Sequence, residues 1–404
     1  MRYNFDKVID RSGTSAEKVE GLKHIWGRTD LIPLWVADMD FATAPFVTDA
    51  IRKRCENEVL GYTGKPDSYY NAIINWVKQR YDLVVAKEMI NFVPGIVPGI
   101  GMAMNCFTQK GDKVMIQPPV YHPFAWVTTR NERTLVTNPL KWENGMYRMD
   151  LDTFREQIKG CKLFILCNPH NPGGVVWTEA ELRAIADICY DEKVLVFSDE
   201  IHADLTLPPH THRPFATVSE KARMNSVTFM SPSKAFNMPG LSASHALIFN
   251  EDLRKRFRIY MDAGELDMGH VFAFLSVEAA YSHGTEWLDQ CLAYIQGNID
   301  FVDDFLKNHA PKIKAIRPEA SYLVWLDCRE LKLSQKDLNE FFVDKAHLAL
   351  NDGEMFGKEG IGFMRLNVAS PRCIIEKAMK QLADAYQLYI CLLYTSPSPR
   401  DYAA

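Results

Sequence analysis

Leu163-Phe164-Ile165-Leu166-Cys167-Asn168-Pro169-His170-Asn171-Pro172-Gly173-Gly174 is an apolar run that ends in a proline- and glycine-rich loop. The segment downstream of it decides the fold. Thr178-Glu179-Ala180-Glu181 is a capping box, and Leu182, Ile185, Ala186 and Cys189 recur behind it on one helical face. A second apolar run, Val194–Phe197, then leads into Ser198-Asp199-Glu200-Ile201-His202. Strand, helix, strand in that order is the unit of a parallel sheet. Ile90–Val93, Val114–Ile116, Ser226–Met230 and Ser244–Phe249 extend the pattern. Most of these runs are continuously apolar, as in strands buried on both faces. The expected fold class is α/β, with a large domain built on a mostly parallel seven-stranded sheet flanked by helices.

The rest of the chain reads differently. Helical patterns from about Phe272 to Lys307 precede two separated strands, Tyr322–Leu326 and Phe363–Val368, and a final helix. That predicts a smaller α+β domain. Leu31-Ile32-Pro33-Leu34-Trp35-Val36-Ala37-Asp38-Met39-Asp40 is expected to cross over to it. The predicted division is 1–45 and 281–390 for the small domain and 46–280 for the large one. Ser370-Pro371 opens the final helix with a serine N-cap and proline at the first turn. Its periodicity is expected to fail from about Tyr389. Cys391 to Asp401 resembles a translated sequencing adapter, so residues 391–404 are predicted to be a disordered or non-native tail.

Composition narrows the function. The chain has 404 residues, 47% apolar and 24% charged, which excludes a disordered chain. A net charge of −5 gives no basic field for nucleic acid or an acidic membrane. Nine scattered cysteines without a C-x-x-C pair favour reduced thiols over a disulfide framework. The opening MRYNFDKVID lacks the apolar core of a secretory signal, and Val93–Met104 is too short and too interrupted to span a bilayer. A cytoplasmic enzyme is the expectation.

Four apolar runs are each followed by glycine or reactive polar residues, where ligands of open α/β sheets bind. Ile90–Val93 leads to Pro94-Gly95-Ile96-Val97, Leu163–Leu166 to Asn168 through Gly174, Val194–Phe197 to Asp199 and His202, and Ser226–Met230 to Ser231-Pro232-Ser233-Lys234. Singly, each is as readily a turn, a cap or a solvated lysine. Together they match the needs of pyridoxal phosphate. Lys234 supplies an amine for a Schiff base. Asp199 supplies a carboxylate for the pyridine nitrogen, Asn171 and His202 donors to the phenolic oxygen, and Tyr121 an aromatic face. Backbone N–H groups of Ile96 and Val97, with the hydroxyls of Ser231 and Ser233, supply a phosphate cradle. Arg365, inside the apolar run Phe363–Val368, is either a partner in an ion pair or a clamp for a substrate carboxylate.

Ser198-Asp199-Glu200-Ile201-His202, Asn168 through Gly174 and Ser231-Pro232-Ser233-Lys234-Ala235-Phe236-Asn237 resemble fold-type I pyridoxal-phosphate enzymes of the class I/II aminotransferase superfamily. Ala37-Asp38-Met39-Asp40-Phe41 and Gly61-Tyr62-Thr63-Gly64 look like its cystathionine β-lyase and cystalysin branch. The resemblance runs from about Tyr3 to about Gln387. It implies a C–S β-lyase acting on L-cystathionine or related cysteine S-conjugates, with an aminotransferase as the alternative. It also implies that Lys234 bears the cofactor, that Asp199 binds the pyridine nitrogen and Asn171 the phenolic oxygen, and that Tyr121 stacks on the ring. Arg365 would hold the substrate carboxylate, near Val36 and Ala37. The resemblance further implies a homodimer, with Tyr62 reaching the neighbouring subunit's phosphate. Two departures stand out. Ser242 occupies a position where many relatives place a phosphate-binding arginine, and His122 comes after Tyr121 where some carry a second tyrosine. No metal is implied. His202, Asp204, His210 and His212 offer the one cluster worth weighing, and their spacing is not that of a zinc protease.

Overall fold

The computed structural model describes residues 2–395. Seven strands form one sheet: β1 (Ile90–Val93), β2 (Lys113–Ile116), β3 (Thr134–Thr137), β4 (Cys161–Cys167), β5 (Leu195–Asp199), β6 (Ser226–Met230) and β7 (Ser244–Leu247). Their order is β1-β7-β6-β5-β4-β2-β3. All are parallel except β7, which lies antiparallel between β6 and β1.

Alternate residues of the central strands feed two separate cores. Leu163 and Ile165 join Val114, Phe197 and Phe229 under helix α1 (Ile96–Phe107). Phe164 and Leu166 join Met115 and Val196 under helix α2 (Glu179–Asp191). The capping box forms as expected: the Thr178 hydroxyl accepts the Glu181 N–H at 3.2 Å, and the Glu181 carboxylate accepts the Thr178 N–H at 2.8 Å. Leu182, Ile185, Ala186 and Cys189 are buried against the sheet.

A second sheet holds β8 (Lys314–Ile316), β9 (Leu323–Asp327), β10 (Asn351–Asp352) and β11 (Phe363–Asn367), in the antiparallel order β8-β9-β11-β10. The N-terminal segment does cross to it. Ile32–Pro33 pairs in parallel with Leu348–Ala349, and the Asn367 N–H donates to Leu34 O at 2.9 Å. Two helices, α3 (Val271–His283) and α4 (Thr285–His309), link the sheets. Position 280 falls inside α3. A single apolar cluster runs from Phe92 through Phe274 and Ile295 to Leu366 and Leu382, so the two layers share one core.

Helix α5 (Arg372–Thr395) differs from expectation at both ends. Ser370 is not its cap: Pro371 O accepts the Ile374 and Ile375 N–H groups, so the helix starts one residue later, and the Ser370 hydroxyl donates to the Asp40 carboxylate. The helix also continues past Tyr389, whose hydroxyl donates to Leu331 O at 2.6 Å and whose ring packs on Phe341. The predicted tail beyond Thr395 lies outside the described residues. Among those described, no helix is long and apolar enough to cross a membrane.

Candidate active site

The carboxyl ends of β1, β4, β5 and β6 open onto one cavity of about 310 Å³. After β1 the chain turns at Gly95, whose φ of +121° suits only glycine, and enters α1 at once. No side chain caps that helix, so the N–H groups of Ile96 and Val97 face the cavity with the positive end of the helix dipole. One turn on, a Cβ at Gly99 would stand 2.8 Å from Val93, so glycine lets α1 lie close on the sheet. Ser233, Ser242 and Ser244 add polar groups to the same wall. Ser231 stands behind them rather than in the wall. Its hydroxyl donates to Ala243 O at 2.8 Å, accepts the Ser233 N–H at 3.1 Å, and so fixes Ser233.

Asp199 ends β5, with Oδ1 accepting the Ile201 N–H at 3.1 Å. Burial without a cation partner raises its carboxyl to about 7. Lys234 lies across the cavity and donates from Nζ to Ala37 O at 2.5 Å. Burial lowers its ammonium to about 8. His202 is buried, with Nδ1 unpartnered, and burial followed by the charges of Lys234 and Arg365 lowers it to about 3. Its imidazole is therefore neutral at ordinary pH. Tyr121, from the loop after β2, lines the cavity, and burial raises its phenol.

Arg365 comes from the other sheet. It is 3% exposed yet has no carboxylate partner among the described residues, so the ion-pair alternative falls away. Nη1 donates to Asn171 Oδ1 at 3.0 Å, and Nη2 donates to Asn351 Oδ1 at 2.5 Å and to Trp35 O at 3.2 Å. Its plane lies over the Phe356 ring at 4.9 Å. Burial lowers the guanidinium to about 10. An unpaired buried cation costs several kcal/mol, of order 3–5, so an anion belongs beside it.

Ala37 lines the cavity, while Val36 does not: its carbonyl accepts from Asn367 Nδ2 at 2.7 Å. Tyr62 does not line the cavity and is 98% exposed on the single chain. The histidine cluster does not converge. His212 bonds Glu200 at 2.8 Å, His210 faces Glu319 at 3.7 Å, and Asp204 accepts from Trp76 Nε1 and Tyr81. Sequence reasoning missed Asn351, Tyr322, whose hydroxyl donates to Ala37 O at 2.9 Å, and the cavity position of Ser244. Asn351 meets Arg365 only through strand register, and no local signal announces that.

The donor set fits pyridoxal phosphate. An open helix start suits a phosphate, a buried acid without a cation suits a protonated ring nitrogen, and a lysine with reduced proton affinity suits an aldehyde. Fold and cavity thus define a pyridoxal-phosphate enzyme with a buried, unpaired guanidinium adjoining its cavity. The chain belongs to the aminotransferase class I and II family, whose model matches residues 29–382. It is 38% identical to the cystathionine beta-lyase PatB of Bacillus subtilis (strain 168), over 95% of this chain and 99% of that one. The structure of cystalysin from Treponema denticola, which contains a pyridoxal 5'-phosphate cofactor, superposes with a TM-score of 0.92 at 34% identity, covering 96% of this chain and 99% of that one. A pyridoxal-phosphate-bound C–S lyase from Staphylococcus hominis superposes with a TM-score of 0.88 at 36% identity, covering 96% and 98%.

Proposed function

We propose that this chain is a pyridoxal-phosphate-dependent carbon–sulfur β-lyase. It cleaves L-cystathionine or a related cysteine S-conjugate by α,β-elimination to a thiol, pyruvate and ammonia. From cystathionine the thiol is homocysteine. One observation carries the reading: Lys234 and Asp199, without ion-pair partners, face a single cavity of cofactor size, and the unpaired Arg365 adjoins it through Asn171, which lines the same cavity. The lyases of matching length support it.

When bound, the cofactor draws off the electron pair left at Cα, which lets a thiolate depart from Cβ. The protein's residues do the rest. Lys234 would hold the cofactor's aldehyde, and its free Nζ would take the Cα proton; its reduced proton affinity suits a base near neutral pH. Asp199 keeps Oδ2 for the ring nitrogen's proton. Asn171 spends Oδ1 on Arg365 and retains its amide N–H groups for the phenolic oxygen, where neutral His202 also donates. Tyr121 covers one ring face. Ile96 and Val97 N–H with Ser233 hold the phosphate. Arg365 binds the α-carboxylate and so orients the Cα–H bond toward Lys234.

A homodimer is part of the proposal, with the bare Tyr62 reaching the partner's phosphate. So is a cytoplasmic setting, which the free thiols from Cys55 to Cys373 support. The family name keeps an aminotransferase as the second reading. The test supplies L-cystathionine without an α-keto acid. Release of pyruvate and free thiol, abolished in Lys234→Ala, is the expected result. Product formed only when an α-keto acid is added would establish the aminotransferase instead, and full lyase activity in Lys234→Ala would remove Lys234 from the chemistry.

A further inference from the structure

The motif Ala37-Asp38-Met39-Asp40-Phe41 contributes Ala37 to the cavity, yet its two carboxylates lie outside it. Asp38 Oδ2 is 2.6 Å from Arg11 Nη2, and Asp38 Oδ1 is 3.7 Å from Lys18 Nζ. Asp40 is 2.8 Å from Lys18 Nζ and 3.3 Å from Arg11 Nη1. The Lys18 side chain is wholly buried. A wholly buried lysine among three partly buried charges is a poor source of net stability, so their placement calls for another account.

The backbone between Trp35 and Phe41 is a strap tied to both functional cations. Asn367, two residues beyond Arg365, donates from Nδ2 to Val36 O at 2.7 Å and Asp38 O at 2.6 Å. Asn237, three residues beyond Lys234, accepts the Met39 N–H at 2.9 Å and donates to Met39 O at 3.0 Å and Phe41 O at 2.7 Å. The strap thereby sets Trp35 O on Arg365 and Ala37 O on Lys234.

We propose that Asp38 is a positioning residue for Lys234: held between Arg11 and Lys18, it anchors the strap that fixes Ala37 O on Nζ. The proposal rests on Lys234 being the cofactor-bearing base. Three charged groups act on that amine. Asp38 from the strap and Asp199 from β5 favour its proton, and Arg365 from β11 opposes it. His202 is neutral, and the Tyr322 hydroxyl shares the Ala37 carbonyl. Once Asp199 is engaged with the ring nitrogen, Asp38 is the carboxylate left to govern Lys234. The strap carbonyl also gives the displaced amine a resting point beside Cα, which limits its search for the proton.

Two variants of the full chain test this with opposite signs. Asp38→Asn removes the negative charge, and Arg11→Gln removes a cation that offsets it. The reading is the pH at which Lys234 is half-reactive toward an acylating reagent in cofactor-free protein, followed by mass spectrometry, alongside the pH limb of kcat in the holoenzyme. Asp38→Asn is expected to weaken proton affinity at Lys234 roughly threefold or more, and Arg11→Gln to strengthen it by a similar factor, as for charges in a partly screened setting. Thermal unfolding checks that both fold. Shifts of the same sign in both variants, or no shift in either, overturn the proposal. If Asp38→Asn does not fold, an unmoved half-reactivity in Arg11→Gln is enough to do so. Borohydride fixing the cofactor to a residue other than Lys234 would instead sink the function reading, while the amine titration stays interpretable.

Discussion

Replacing Arg365 with Met keeps a similar volume and removes the cation. In the wild type three of the five guanidinium N–H groups are spent on Asn171, Asn351 and Trp35 O, leaving Nε–H and one Nη1–H. Nε is buried with no partner, so it is available to a carboxylate and to nothing else in its surroundings. Nε–H and the free Nη1–H lie on different edges of the guanidinium, so one carboxylate takes one of them, and a hydrogen bond between charged groups contributes about 1.5–3 kcal/mol. At about 1.4 kcal/mol per decade, kcat/KM for the free amino acid falls roughly 10- to 10²-fold. The same substitution leaves Asn171 Oδ1 without its donor, which damages turnover of any substrate. The methyl ester of the same S-conjugate isolates that part, because it keeps an acidic Cα–H but carries no carboxylate. Thiol release is measured for acid and ester with both proteins. The acid should suffer the full loss and the ester a much smaller one. Equal losses for both would show that Arg365 supports Asn171 and does not bind the carboxylate.

The same geometry sets other outcomes. Asp199 titrates near 7 when folded and in the ordinary carboxylate range when unfolded, so between those values the folded state holds a proton that the unfolded state has lost. Cofactor-free wild type should therefore lose stability relative to Asp199→Asn as pH rises from about 4 to 7, by a few kcal/mol in denaturant titrations, and a constant difference would refute the burial argument. Gly95→Val forces a branched side chain onto a φ of +121°, at a cost of about 1–3 kcal/mol. Pyridoxal-phosphate affinity should drop roughly tenfold or more by equilibrium dialysis, and an unchanged affinity would take the phosphate away from the start of α1. Mixing Lys234→Ala with Tyr62→Ala subunits should restore activity toward about a quarter of wild type, because half the dimers are then hybrids with one intact site each. No restoration would mean that Tyr62 acts within its own chain or not at all.

The sheet was legible because its strands are buried on both faces and therefore apolar throughout. β3 escaped notice for the opposite reason: at the edge of the sheet, Thr134 and Thr137 face outward and only Leu135 and Val136 read as strand. The hairpin of Lys141–Glu143 with Met146–Arg148 did carry a signal, Asn144-Gly145, both with positive φ as a tight hairpin turn demands. Arg365 could be singled out because a charge in an apolar strand needs explaining. Its partners could not, since Asn351 and Trp35 reach it from separate parts of the chain. Ser370 misled because a serine before a proline reads as a cap, whereas the helix starts one residue later on Pro371 O and the serine hydroxyl turns to the Asp40 carboxylate, held in place by Lys18.

The strap also dictates an order of assembly. Residues 90–247 can pair their seven strands soon after they are synthesised, since every partner lies within that stretch. Residues 32–40 are made earlier still, but Ile32 waits for Leu348 and Val36 for Asn367, more than 300 residues later. Residues 32–36 are thus among the last to dock, because closing so long a loop is slow, whereas Met39 and Phe41 find Asn237 much earlier, so the strap is seated on the lysine's side before it is seated on the arginine's.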